Sequence, residues 1–218
     1  MEVGVRFMNK RRDLMLKQRF PQKGDKLFRP RQQRRPGLLT DPSAVTGLKH
    51  PTIAMQLYEL GYKRAADLLL KKALDEHPSH SLIYPIVFLY RHYLELCLKA
   101  LVLEGSALMR DEAPSDLHHN LQVLWGKLSG LVPAVWPDVQ SDRVEAVEAC
   151  INEMCQFDPK SMAFRYPFDK HGHQHLENLS SIDLVNLREV MEGIANFLDC
   201  VGEAIAQRLE WQSGSNHV

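Results

Sequence analysis

IYPIVFLYRHYLELCLKALVLEG, residues 83 to 105, is the most apolar stretch of the chain. Ile86, Tyr90, Tyr93, Cys97, Ala100 and Leu101 recur at steps of three and four, the period of one helix face. Leu89, Leu94, Leu96 and Leu98 widen that face until most of the helix surface is apolar, which predicts a helix at the centre of a bundle. Pro85 suits its first turn and Gly105 its end. Arg91, His92, Glu95 and Lys99 interrupt the run, and no stretch of about 18 apolar residues occurs, so no membrane association is expected.

Working outward, residues 52 to 76 read as a helix with Ile53, Leu57, Leu60, Ala65, Leu68 and Leu69 as its apolar stripe. Gly61 marks a place to kink or split it, and Pro78 and Ser79 stop it. Downstream, a polar linker around Pro114 leads into a third helix carried by Leu117, Leu121, Leu124, Leu128 and Leu131. Ser141 is placed to cap a fourth helix, with Val144, Val147, Ile151 and Met154 inward. The last helix starts near Asp183, with Leu184, Leu187, Met191, Ile194, Leu198, Val201, Ile205 and Leu209 on one face. Residues 157 to 182 have no helical period, yet Phe157, Phe164, Tyr166 and Phe168 argue against disorder. Residues 164 to 168 alternate as a strand does, and Asp169-Lys170-His171-Gly172 is turn chemistry. The expected fold is all-α, an antiparallel four- to five-helix bundle with a small hairpin or ordered loop before the last helix.

Net charge is zero but unevenly spread. Residues 1 to 36 hold twelve Lys or Arg and three acids, leaving fifteen basic and twenty-four acidic residues of the twenty-seven of each sign. Residues 1 to 49 therefore read as a basic, Pro-rich arm on an acidic bundle spanning residues 50 to 212, with a disordered tail at 213 to 218. The arm is either a solvated tail or a surface for nucleic acid or a protein partner. Within it, residues 10 to 20 have the makings of a short helix. Arg6, Lys10, Arg11 and Arg12 break every apolar run of a secretory signal, and Met8 and Met15 leave a later start open. Cys97, Cys150, Cys155 and Cys200 form no CxxC pair, which suits reduced thiols and a cytoplasmic location.

Arg91, Glu95 and Lys99 stand at four-residue steps, on one face of the central helix. They form either an intrahelical ion-pair ladder or the floor of a cleft suited to phosphate. Arg165, in the aromatic loop, either points into solvent, pairs with Glu95, holds a phosphate or stacks on a ring. His118 and His119 stand before the third helix beside Asp116. His171, His173 and His175 alternate as metal ligands on a strand do, but no Cys or carboxylate completes a zinc site, so neither metal nor cofactor is expected.

Three segments carry a resemblance. Glu95-Leu96-Cys97-Leu98-Lys99-Ala100-Leu101 lies on the apolar second helix, His119-Asn120-Leu121 opens the third, and Arg165-Tyr166-Pro167 precedes the last. In this order they resemble the HEPN superfamily of helical-bundle domains, over about two thirds of the chain, and bacterial proteins with an FRYP-type loop. The resemblance implies an antiparallel bundle, pairing of two protomers and a setting in bacterial stress, toxin–antitoxin or antiviral (phage) defence. In its catalytic members it implies a metal-independent ribonuclease using an Arg followed four to six residues later by His. Here that spacing is met by Arg165 and His171, although Pro167 and Gly172 place them in turns.

The expected function is binding of a nucleotide or an RNA phosphate by Arg91, Glu95, Lys99, His119, Arg165 and Tyr166. The alternatives are a ribonuclease with Arg165 and His171 as catalytic residues, joined by His118 or His119, and a non-catalytic protein-interaction module. A homodimer is expected, since the last helix is longer than a small bundle needs and its Trp211 end is placed to meet another protomer.

Overall fold

The computed structural model describes residues 51–75, 81–111, 117 and 119–214. The expectations for the basic arm and its short helix, the Pro78–Ser79 stop, the linker around Pro114 with Asp116, His118, and the tail beyond 214 lie outside these residues. The described helices are α1 (Pro51–Asp75), α2 (Ile83–Met109), α3 (Leu121–Val135), α4 (Ser141–Phe157) and α5 (Leu184–Gly214). No strand occurs among the described residues, and no described helix is long and apolar enough to cross a membrane. The fold is an all-α bundle.

The central place of α2 follows from its composition. It packs against α1, α3 and α5, and Ile86, Tyr90, Leu94, Leu98 and Val102 are almost wholly buried. Gly105 does not end it. The helix runs on to Met109, and Arg110 takes the left-handed conformation (φ 57°), with its N–H on Ala107 O and that of Asp111 on Ser106 O. This pair of hydrogen bonds satisfies two of the last turn's free carbonyls. Gly105 serves packing instead: a Cβ there would lie 2.5 Å from Leu131 Cδ1 of α3.

α1 departs from its expected stripe. Ala66, Leu70 and Ala73 are buried, with Tyr62, Leu69 and Leu74 packed beside them, whereas Ile53, Leu57, Leu60 and Leu68 are about half exposed or more. The two small alanines let α1 lie close on α2, so the leucine stripe faces outward. The helix passes through Gly61 unbroken. Tyr90 of α2 ties the pair by donating to Asp67 Oδ1 at 2.7 Å. Tyr90→Phe is expected to cost about 1 kcal/mol, the net worth of one such bond, read as a lower urea midpoint with an unchanged slope.

The α3 N-terminus is set by Asn120, whose Oδ1 accepts from the N–H groups of Gln122 and Val123. Leu117 precedes the helix but packs on the core. Ser141 is the first residue of α4 rather than its cap; Gln140 takes that place without a side-chain bond. Val147 and Ile151 are buried as expected, with Val144 and Met154 packed against the core. Asp183 caps α5 through bonds from Val185 and Asn186 N–H. Met191, Ile194, Leu198, Val201 and Ile205 then form its buried face.

Between α4 and α5 the chain is an ordered loop whose two arms meet in one antiparallel bridge, Phe168 with Gln174. Residues 163 to 165 turn instead of alternating as a strand. The tip is built on Asp169, whose Oδ1 accepts from the N–H groups of His171 and His173, while Gly172 takes φ +86°.

Candidate functional site

Arg91 is wholly buried in α2, and a buried guanidinium needs acceptors around it. Its Nη1 lies 3.2 Å from Glu95 Oε2, its Nη2 donates to the His119 carbonyl at 3.1 Å, and its Nε donates to the Asp158 carbonyl at 3.2 Å. The Asp158 carboxylate, also buried, stands 3.7 Å from Nε. One side chain thus joins α2 to the segment before α3 and to the end of α4. The expected phosphate-binding floor is corrected at Arg91, whose guanidinium is enclosed by protein partners and presents no exposed face.

Glu95 is the second centre. Lys99 Nζ donates to Oε1 at 2.9 Å, and His119 Nδ1 lies 2.6 Å from the same oxygen. Desolvation pushes its carboxyl upward, but the bonds from Lys99 and His119 outweigh that and hold it below the usual carboxylate value. An ionised Glu95 accepts, so the imidazole donates from Nδ1. The His119 side chain is 82 % exposed, against 4 % for Glu95. A buried carboxylate orienting an exposed imidazole is the arrangement general acid–base chemistry uses.

Asp158 was not singled out in the sequence. Its Oδ1 accepts from Met162 N–H at 2.6 Å and Ala163 N–H at 3.0 Å, shaping the first turn of the loop. The available signal was indirect: a buried Arg on an apolar helix calls for an acid, and Asp158 opens the aperiodic segment.

Arg165 does not meet Glu95, whose carboxylate is occupied by Arg91, Lys99 and His119. It is exposed, donates from Nε to Ser161 O at 2.6 Å, and lies 5.6 Å from the Phe88 ring centre and 5.5 Å from that of Tyr166. Both separations are within cation–π reach. Arg165 and Tyr166 wall a pocket of about 720 Å³, closed by Tyr84 of α2 and by Gln174, His175 and Ser181 of the returning arm. Ser161 (φ 58°) and Leu176 (φ 61°), both of this loop, hold left-handed backbone that side chains other than glycine rarely adopt. Leu176 lines the pocket.

The remaining candidates do not assemble. Arg165 and His171 lie in separate turns, and His171 is exposed at the loop tip, outside the pocket wall. His173 turns onto Asp169 at 3.1 Å, and no group of three or more metal-ligating side chains placed to hold an ion occurs among the described residues. The four cysteines are free thiols.

Comparison with family models, curated proteins and solved structures finds no match. The site's geometry alone therefore supports a reading of its chemistry.

Proposed function

We propose that the protein binds a nucleotide, or the phosphate-bearing end of an RNA, in the pocket beside Arg165. One observation carries the reading: an exposed guanidinium, flanked by Phe88 and Tyr166, forms the wall of a ligand-sized pocket. A phosphate matches the guanidinium, and a base matches the aromatic ring of Tyr166. Arg91 and Asp158 act through position, holding the loop that presents Arg165. The resemblance to HEPN domains adds an expected setting in bacterial stress or phage defence.

The experiment is a titration of the full chain with the four ribonucleoside 5′-monophosphates and with a short 5′-phosphorylated single-stranded RNA. Arg165→Ala is expected to weaken binding by about tenfold or more, the worth of a charge-assisted bond, with helical content unchanged. Equal affinity in the two proteins, or no binding by the wild type, sinks the proposal.

The Glu95–His119 pair supports a second reading, metal-independent RNA cleavage with His119 rather than His171 moving the proton. Incubation with RNA in EDTA tests it. Loss of cleavage in His119→Gln but not in His171→Ala supports it, and an inactive folded wild type removes it.

A further inference from the structure

The five described helices close one core, yet α1 carries a second apolar stripe on the side away from it. Ile53, Leu57, Leu60 and Leu68 are 48 to 60 % exposed, and Arg64 and Gly61 lie among them. The spacing 53, 57, 60, 64 follows the alternating steps of four and three of a helix–helix seam. Exposed leucines at seam spacing are the mark of a helical partner, because single exposed leucines scatter without period.

We propose that this stripe is the interface of a homodimer in which α1 packs antiparallel against α1 of a second copy. The pattern is self-complementary about a twofold axis between Leu60 and Gly61, as an isologous contact requires. In that register Ile53 faces Leu68 of the other copy, and Leu57 faces Arg64. Leu60 faces Gly61 of the other copy across the twofold axis, so the two copies of each lie within one residue step of each other along the helices. Gly61 suits the centre: a Cβ there would meet nothing within 4 Å in its own chain, and its bare backbone lets the two helices approach.

Charge permits the pairing. The acid at the stripe's edge, Asp67, is held within its own chain by Lys63 and Tyr90. Lys71 lies beyond the last paired position. Arg64 has an aliphatic stem that packs across Leu57 while the guanidinium reaches the rim. The two Arg64 residues stand about 10 Å apart along the axis at 1.5 Å rise per residue, a distance at which salt screens their repulsion. Area also suffices. Four half-exposed aliphatic side chains with the Arg64 stem offer roughly 500 Å² per copy, so a pair buries about 1,000 Å², the lower bound for a specific interface.

The test uses the full chain with Cys200, the exposed thiol, replaced by Ser. Sedimentation of the wild type is expected to show a dimer, and Leu60→Glu a monomer of unchanged helical content. Gly61→Cys is expected to cross-link with itself on mild oxidation. Leu68→Cys alone is not, since two copies of residue 68 lie about 22 Å apart along the axis in this register, far beyond disulfide reach. A mixture of Ile53→Cys and Leu68→Cys chains is expected to cross-link. A monomeric wild type overturns the proposal, as does a dimer that survives Leu60→Glu. Self-linking of Leu68→Cys as strong as that of Gly61→Cys also overturns it, because it means parallel pairing.

Discussion

Arg91→Ala is expected to destabilise the bundle by about 3–5 kcal/mol, the cost of removing one partner from a buried ion pair. Arg91 and Asp158 are essentially inaccessible, and Glu95 is 3 % exposed. Removing the guanidinium leaves the Asp158 carboxylate with two backbone N–H groups and no cation, takes the Arg91 donor from the His119 carbonyl, and leaves the Asp158 carbonyl only the long bond from Ser161 N–H at 3.5 Å. Glu95 fares better, because Lys99 and His119 still hold it. The loss therefore falls on the junction of α2 with the loop. Near-total loss of the urea transition is the expected result if the domain's stability lies at the low end of the usual range. Arg91→Lys tests the geometry: one ammonium cannot serve three acceptors in different directions, so it is expected to recover only part of the loss. An Arg91→Ala protein within 1 kcal/mol of the wild type, a change typical of a surface site, shows that the network does not hold the fold.

The same network shows what was legible in the sequence. The period of α2 and the long face of α5 were readable because large apolar residues recur on one side, and burial follows that recurrence. The stripe of α1 was misread because its buried side is built on Ala66 and Ala73, which weigh little in a pattern dominated by leucines on the opposite side. Gly105 looked like a stop because glycine ends helices, but contact with Leu131 accounts for it as well. Arg91, Glu95 and Lys99 were readable as one face, whereas their depth was not. Depth depends on Asp158 and His119, which are far along the chain and have no local period. Arg165 was readable as an arginine among aromatics. The pocket it walls was not, since Gln174, His175 and Ser181 reach it only through the turn built on Asp169.

Glu59→Gln is expected to make the protein more stable at pH 8 and to leave it nearly unchanged at pH 5. Glu59 of α1 sits in a cleft with Cys97 and Glu104 of α2 and Asp199 and Glu203 of α5 around it. Burial, then the nearby charge of Glu104, pushes its carboxyl from 4.5 up to about 7, against a bond from the Cys97 thiol that lowers it. Its Oε1 is buried with no hydrogen-bond partner. A carboxyl whose value is raised in the folded state binds its proton more tightly there than in the unfolded chain. Its contribution is complete below pH 4.5 and is lost as pH rises through about 7. Gln keeps the neutral form at every pH, so the gain over the wild type opens across that window. A fully buried group would gain more; with Glu59 only partly buried, solvent screening reduces the expected gain to about 1–2 kcal/mol. Glu95 acts in the opposite direction: its lowered carboxyl supports the fold above the ordinary carboxylate value and loses that support as pH falls through the folded one. The two carboxylates thus limit stability from opposite sides, and the substitution at residue 59 removes only the alkaline limit. Urea midpoints at pH 5, 6, 7 and 8 measure it. Parallel profiles for the two proteins would mean that Glu59 titrates as an ordinary surface acid and that the carboxylates in this cleft do not hold its proton.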